Sequence, residues 1–315
     1  MKDLKFTNSE KEHILSKVKL LRDYHSLVSF MTPEMENFIV KNFASIIKFL
    51  PCLKHSTCFQ DSFERIVINN NVNKDKSNAR LKSYSQIQYP PHNVLSKIPY
   101  NRANLPKQSV FYAAYGSLVS ALETKPAKGN LYTHSIWQQK QNTQITYLPI
   151  YHKESIILTT SEFTEDWKNY QSYLGTLDKN VAVVVEEIYD FIATVFTTQV
   201  NPLNRIEYLF SAIISDIFMN DSKFNVDCIY YPSVAGDFVA SNIAVKPKVL
   251  DNLFNLVEIN ESFCSYSDAN KRWLSYRTGK AINIDRNGEN IKWQTETIYD
   301  ETINILMKEF NVQLA

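Results

Sequence analysis

The sequence predicts an α+β protein with a mixed β core flanked by helices, a helical N-terminal segment and a C-terminal hairpin-and-helix extension. Three observations predict it. A length of 315 residues leaves room for two domains, or for one large domain with an extension, at roughly 150 residues per domain. A hydrophobic fraction of 44% with 21% charged residues is ordinary globular usage, so wholesale disorder and a fibrous design are excluded. The apolar spacing also changes along the chain, from helical three-and-four steps to alternation and back.

Residues 1–60 read as helical. Thr32-Pro33 is a capping residue followed by proline at the first helical position. After it, Met35, Phe38, Ile39, Phe43, Ile46, Ile47 and Leu50 form one apolar stripe. Residues 61–255 then read as the central domain. It opens with a β-like run, Phe63 to Ile68, and a polar loop, Asn69 to Asn78, and Pro90, Pro91 and Pro99 follow. Ser109 to Ala114 reads as a buried strand and Ser117 to Thr124 as a short helix, a strand-turn-helix step. Strands are expected between Asn130 and Thr160, with alternation over Gln144–Tyr151 and Ser155–Thr160. Val181 to Phe196 reads as a buried helix, although Val183, Val184 and Val185 keep a strand open. The helix after Asn201-Pro202 has Ile206, Leu209, Phe210, Ile213, Ile214, Ile217 and Phe218 on one side and ends at Asn220-Asp221. Val226 to Ser233 and Asn242 to Val245 read as strands. Residues 256–315 are expected to supply two strands around Asp285–Gly288, where Asn287-Gly288 is a hairpin signal, and a final helix from about Glu296 to Glu309.

Thirty-four basic against 33 acidic residues leave a net charge of +1, so no global field draws in nucleic acid or an anionic membrane. The N-terminal stretch has no secretory apolar region, and eighteen apolar residues never run together, so a soluble cytoplasmic protein is expected. Cys52, Cys58, Cys228 and Cys264 are few and irregularly spaced, which suits reduced thiols. Cys52, His55 and Cys58 lack a fourth ligand, and no HExxH is present, so no metal is expected. With only six glycines, neither GxGxxG nor a P-loop can be written, and any nucleotide must be held by side chains. No GxSxG elbow or paired histidine supports a triad.

One constellation carries chemistry. Arg102 lies in YNRAN, Tyr112 ten residues later in SVFYAA, and Glu123 eleven beyond at the end of SALE. Far downstream, VDCIYYPSVAGDFVASN holds Ser233 and Asn242. An arginine, an aromatic, a carboxylate and a hydroxyl converging in one cleft suit an anionic ligand with a flat ring and a ribose.

This pattern, R-x-N, a strand with Tyr, A-L-x-E, then D-x-I-x-Y-P-S-V after a long amphipathic helix, resembles the RES domain family over roughly Phe63 to Leu250. The resemblance implies an ADP-ribosyltransferase-like fold and an NAD+-degrading activity that cleaves the nicotinamide–ribose bond. It further implies a bacterial toxin or defence effector checked by an Xre-type antitoxin, and a homodimer. By resemblance, Arg102 would hold the NAD+ phosphates with bidentate donors, helped by Arg65 of FERI. Tyr112 would lie against the nicotinamide or its ribose, and Glu123 would stabilise oxocarbenium charge. Ser233 would bond the ligand in the cleft, and Asn242 would fix the turn or touch ligand. Two alternatives stay open: transfer of ADP-ribose to a macromolecule, and a non-catalytic nucleotide-binding or interaction protein on the same scaffold.

Overall fold

The computed structural model describes residues 4–30, 32–50, 55–150, 161–201, 203–238, 240–283, 290–298 and 300–314. In chain order its elements are α1 (Asn8–Ser26), α2 (Pro33–Ile47), β1 (His55–Thr57), β2 (Phe63–Ile68), α3 (Asn69–Val72), β3 (Phe111–Ala114), α4 (Ser117–Thr124), β4 (Leu131–Gln139) and β5 (Ile145–Pro149). They continue with α5 (Ser161–Leu174), α6 (Lys179–Thr197), α7 (Leu209–Asn220), β6 (Cys228–Pro232), β7 (Ser241–Val245), α8 (Pro247–Leu253), β8 (Phe254–Ser267), β9 (Trp273–Asn283), β10 (Lys292–Thr295) and α9 (Glu301–Glu309). This is a mixed α/β protein. Among the described residues no helix is long and apolar enough to cross a membrane.

Contacts group the chain into two compact units, each drawn from three separate stretches. The first unit holds residues 1–57, 93–110 and 145–244. Its helix α1 starts at a capping box: the Thr7 hydroxyl accepts the Glu10 N–H, and the Glu10 carboxylate accepts the Thr7 N–H. Val181, Val184, Val185, Ile188, Ile192 and Val195 are buried on α6 at helical spacing. Burial of that face settles the valine run as helix, with the Asp178 carboxylate capping it. The segment after Pro202 opens as a 3-10 turn, Arg205–Tyr208, before α7. The strands are ordered β1-β5-β6-β7; β1 is antiparallel to β5, and β5 is parallel to β6. Strand β1 corrects the expectation of helix up to residue 60.

The second unit holds residues 58–92, 111–144 and 245–315, with strand order β3-β2-β4-β8-β9-β10 and antiparallel pairing throughout. Leu131, Phe263, Ile303 and Met307 form one core cluster, and Ile66, Ile68, Ala121, Tyr132 and Cys264 form another. Strand β8 was not expected, and α9 starts at the Asp300 cap rather than at Glu296. Strands β9 and β10 pair from Lys292↔Asn283; the expected turn at Asp285–Gly288 lies outside the described residues, as does Ser155–Thr160.

Candidate functional site

The sequence-predicted residues fall in both units, and each group is built locally. In the second unit, β2 pairs with β4 along its whole length, from Phe63↔Trp137 to Ile68↔Tyr132. With β3 it pairs only at Glu64↔Ala114. Beyond that pair the two strands part, and side chains take over the ladder. The Ile66 N–H donates to Ser120 Oγ at 2.9 Å, and Thr124 Oγ1 donates to the Ile66 carbonyl at 3.4 Å. Both come from α4, which the chain reaches through Gly116 at φ +95°, a conformation that only glycine adopts without strain. Arg65 Nη1 bridges the split by donating to the Tyr112 carbonyl at 2.7 Å.

Arg65 lies over the Phe111 ring, 5.4 Å from its centroid. The side chain as a whole keeps a little exposure, but its Nε is buried with no hydrogen-bond partner. Among the described residues it forms no ion pair. Burial pulls its pKa down to about 10, against the opposing influence of Tyr112. Tyr112 is half-buried, and Glu123 stands exposed on the last turn of α4. The split is thus bounded by Arg65 on β2, by the Tyr112 backbone on β3 and by α4, whose last turn carries Glu123.

In the first unit Arg102 has a different use. Its Nη1 donates to the carbonyls of Phe196 at 2.7 Å and Val195 at 3.4 Å, and its Nη2 to that of Thr198 at 3.2 Å. The last carbonyls of α6 have no partner within the helix, and a cation there also meets the negative end of its dipole. The guanidinium also lies over the Tyr208 ring at 5.2 Å. Ser233 is fully buried and its hydroxyl accepts the Gly236 N–H at 3.0 Å. Its own N–H and carbonyl meet Ala240 and Phe238, so it organises the loop after β6. Asn242 is buried on β7.

No family model matches the chain. A search of curated proteins gives no match either. The resemblance to the RES domain thus rests on the residues quoted for it.

Two carboxylate–imidazole pairs were not picked out by the sequence. Glu64 Oε2 lies 2.5 Å from His134 Nε2 across β2 and β4. In the first unit, Asp166 Oδ1 lies 3.1 Å from His55 Nδ1 while its Oδ2 accepts the Tyr147 hydroxyl at 2.7 Å. The first pair follows from strand alternation only once the β2/β4 register is known, and a single sequence does not supply that register. Among the described residues no group of three His, Cys, Asp or Glu side chains could hold a metal.

Proposed function

We propose that the protein binds NAD+ at the β2/β3 split on an ADP-ribosyltransferase-like core and cleaves its nicotinamide–ribose bond, as a toxin or defence effector would. The observation that carries this reading is Arg65, a buried guanidinium over an aromatic ring with its Nε unpartnered. Such a group favours an anion, and a pyrophosphate supplies one beside a flat base. Tyr112 borders the same split, and Glu123 at the end of α4 is the carboxylate for the developing ribosyl cation. Arg65 takes over the phosphate role expected of Arg102, whose donors meet helix carbonyls.

A specific observation favours a second reading. Glu123 is exposed, and with Arg102 engaged elsewhere the split also suits a nucleotide that is held without turnover. One experiment separates the two: NAD+ binding by calorimetry alongside nicotinamide release. Binding with release that falls in Glu123→Gln supports cleavage. Binding without release, even with phosphate or cell extract as acceptor, supports the second reading. Neither binding nor release removes both.

A further inference from the structure

Helix α1 carries two apolar stripes. Ile14, Val18 and Leu21 are buried, and beside them Arg22 turns to α6, meeting Asp190 at 2.8 Å and Glu187 at 3.5 Å. Leu20, Tyr24 and Leu27 form the second stripe at four-and-three spacing, turned about 120° from the first on a helix of 3.6 residues per turn. Leu20 and Leu27 are exposed. Tyr24 extends this stripe onto α2, its ring 5.1 Å from that of Phe38, which is exposed too.

The stripe ends in two projecting tips. Phe30, 83% exposed, closes the 3-10 turn Val28–Phe30 that follows α1, and its N–H donates to the Leu27 carbonyl at 2.9 Å. Leu203, 92% exposed, lies in the turn that leads to α7. One carboxylate holds the two turns side by side. Glu207 accepts the Ser29 hydroxyl at 2.7 Å, the Asn201 N–H at 2.8 Å and the Asn204 side-chain amide at 3.2 Å. The Leu203 N–H in turn donates to Asn201 Oδ1 at 3.0 Å. Both turns are fixed by these bonds while their apolar side chains face solvent.

The size, pattern and charge of this face suit a second copy of the chain. At roughly 150–200 Å² per fully exposed large apolar side chain, Leu20, Leu27, Phe30, Phe38 and Leu203 leave about 450–600 Å² open on each copy. Two such patches face to face bury about 1,000 Å² before a polar rim is added, the lower bound of a specific interface. The pattern is self-complementary. Leu20 and Leu27 stand almost equally far from Tyr24, so a twofold axis at Tyr24 lays two α1 helices antiparallel, each Leu20 against Leu27 of the other copy. Lys19 and Asp23 on α1, Lys41 on α2 and Arg205 beside Leu203 give the rim both signs, whereas an anionic membrane or a nucleic acid calls for a cationic one. We infer that this face joins two copies of the chain about a twofold axis at Tyr24. Leu20, Tyr24, Leu27, Phe30 and Phe38 precede Phe63 and so lie outside the stretch that carries the RES resemblance, and the contact is independent of the NAD+ reading.

Sedimentation velocity over about 1–100 μM is expected to show a monomer–dimer equilibrium. Leu27→Asp places a carboxylate in the contact on each copy and is expected to raise the dimer dissociation constant at least about thirtyfold, with folding checked by circular dichroism. Ile305→Asp, at an exposed isoleucine on α9, is expected to leave that constant unchanged. In the wild type, amide hydrogen exchange over residues 24–30 and 203–206 is expected to slow between the lowest and the highest concentration. A wild type that stays monomeric throughout overturns the inference, and a monomer that floats with phosphatidylcholine vesicles assigns the face to a bilayer instead. A dimer that Leu27→Asp leaves intact, or that forms without that slowing, overturns this face as the contact.

Discussion

Arg65 and Arg80 are buried guanidinium groups of the same unit, and their surroundings differ in kind. Arg80 is 5% exposed and Glu261 is fully buried. Arg80 Nε and Nη2 meet Glu261 Oε1 at 3.0 and 2.8 Å, Nη1 meets the Thr295 hydroxyl at 2.7 Å and the Leu314 carbonyl at 3.0 Å, and Nη2 meets the Thr278 carbonyl at 3.2 Å. The Thr278 hydroxyl completes Glu261. Gly279 permits this approach, since a Cβ there would lie 2.8 Å from Arg80 Nη2. Around the Arg65 guanidinium, among the described residues, there is one hydrogen bond, one ring and no ion pair. A buried cation with every donor satisfied is architecture. One left with an unmatched charge carries a desolvation cost that a bound anion would offset.

The comparison can be broken in five ways, beginning with the largest effect. Arg80→Met strands the Glu261 carboxylate in the core and is expected to cost about 3–5 kcal/mol of unfolding free energy in urea titration; a loss below about 1 kcal/mol would mean that the network is not architecture. Glu123→Gln is expected to lower nicotinamide release by about 10²-fold or more, roughly 2.7 kcal/mol of barrier, with NAD+ affinity little changed. Arg65→Met is expected to weaken NAD+ binding at least about tenfold, about 1.4 kcal/mol, while unfolding free energy holds or rises. If stability fell and affinity stayed, Arg65 would join Arg80 as architecture.

Arg102→Ala sharpens the contrast from the other unit. It removes the cation at the end of α6 and is expected to cost about 1 kcal/mol of stability without changing NAD+ affinity; a calorimetric loss of binding would restore Arg102 to the phosphates. The smallest effect is at His25, which lies edge-on to Phe210 at 5.2 Å and Phe191 at 6.3 Å. Burial, with Arg22 and Arg102 nearby, lowers its pKa from 6.5 to about 4. The fold therefore favours the neutral ring, so this contribution is complete above about pH 6.5 and is lost as the pH falls toward about 4. His25→Phe should flatten thermal stability across that window in scanning calorimetry.

Local signals made the helices and the strand-turn-helix step legible. The valine run at 183–185 allowed both helix and strand until burial at helical spacing decided it. Strand β8 stayed hidden because Glu261 stands where its alternation calls for an apolar residue; Glu261 is buried there because Arg80 pairs with it. At the site, Tyr112 and Glu123 could be read as a motif, but the split beside them depends on strand register. The use of Arg102 depends on carbonyls about 94 residues away, and the Glu64–His134 pair joins residues 70 apart. Neither distance leaves a local trace.

The second unit has a history as well as a shape. Arg80 meets Glu261 across 181 residues, and one edge of β4 belongs to β8. On a ribosome, β2, β3 and β4 are complete long before β8 is translated. During that interval the growing chain carries a bare strand edge and an arginine awaiting its carboxylate, the kind of unsealed sheet that other chains join. Synthesis order therefore makes the middle of translation the most vulnerable moment for this protein, and it is there that a chaperone would improve its yield most.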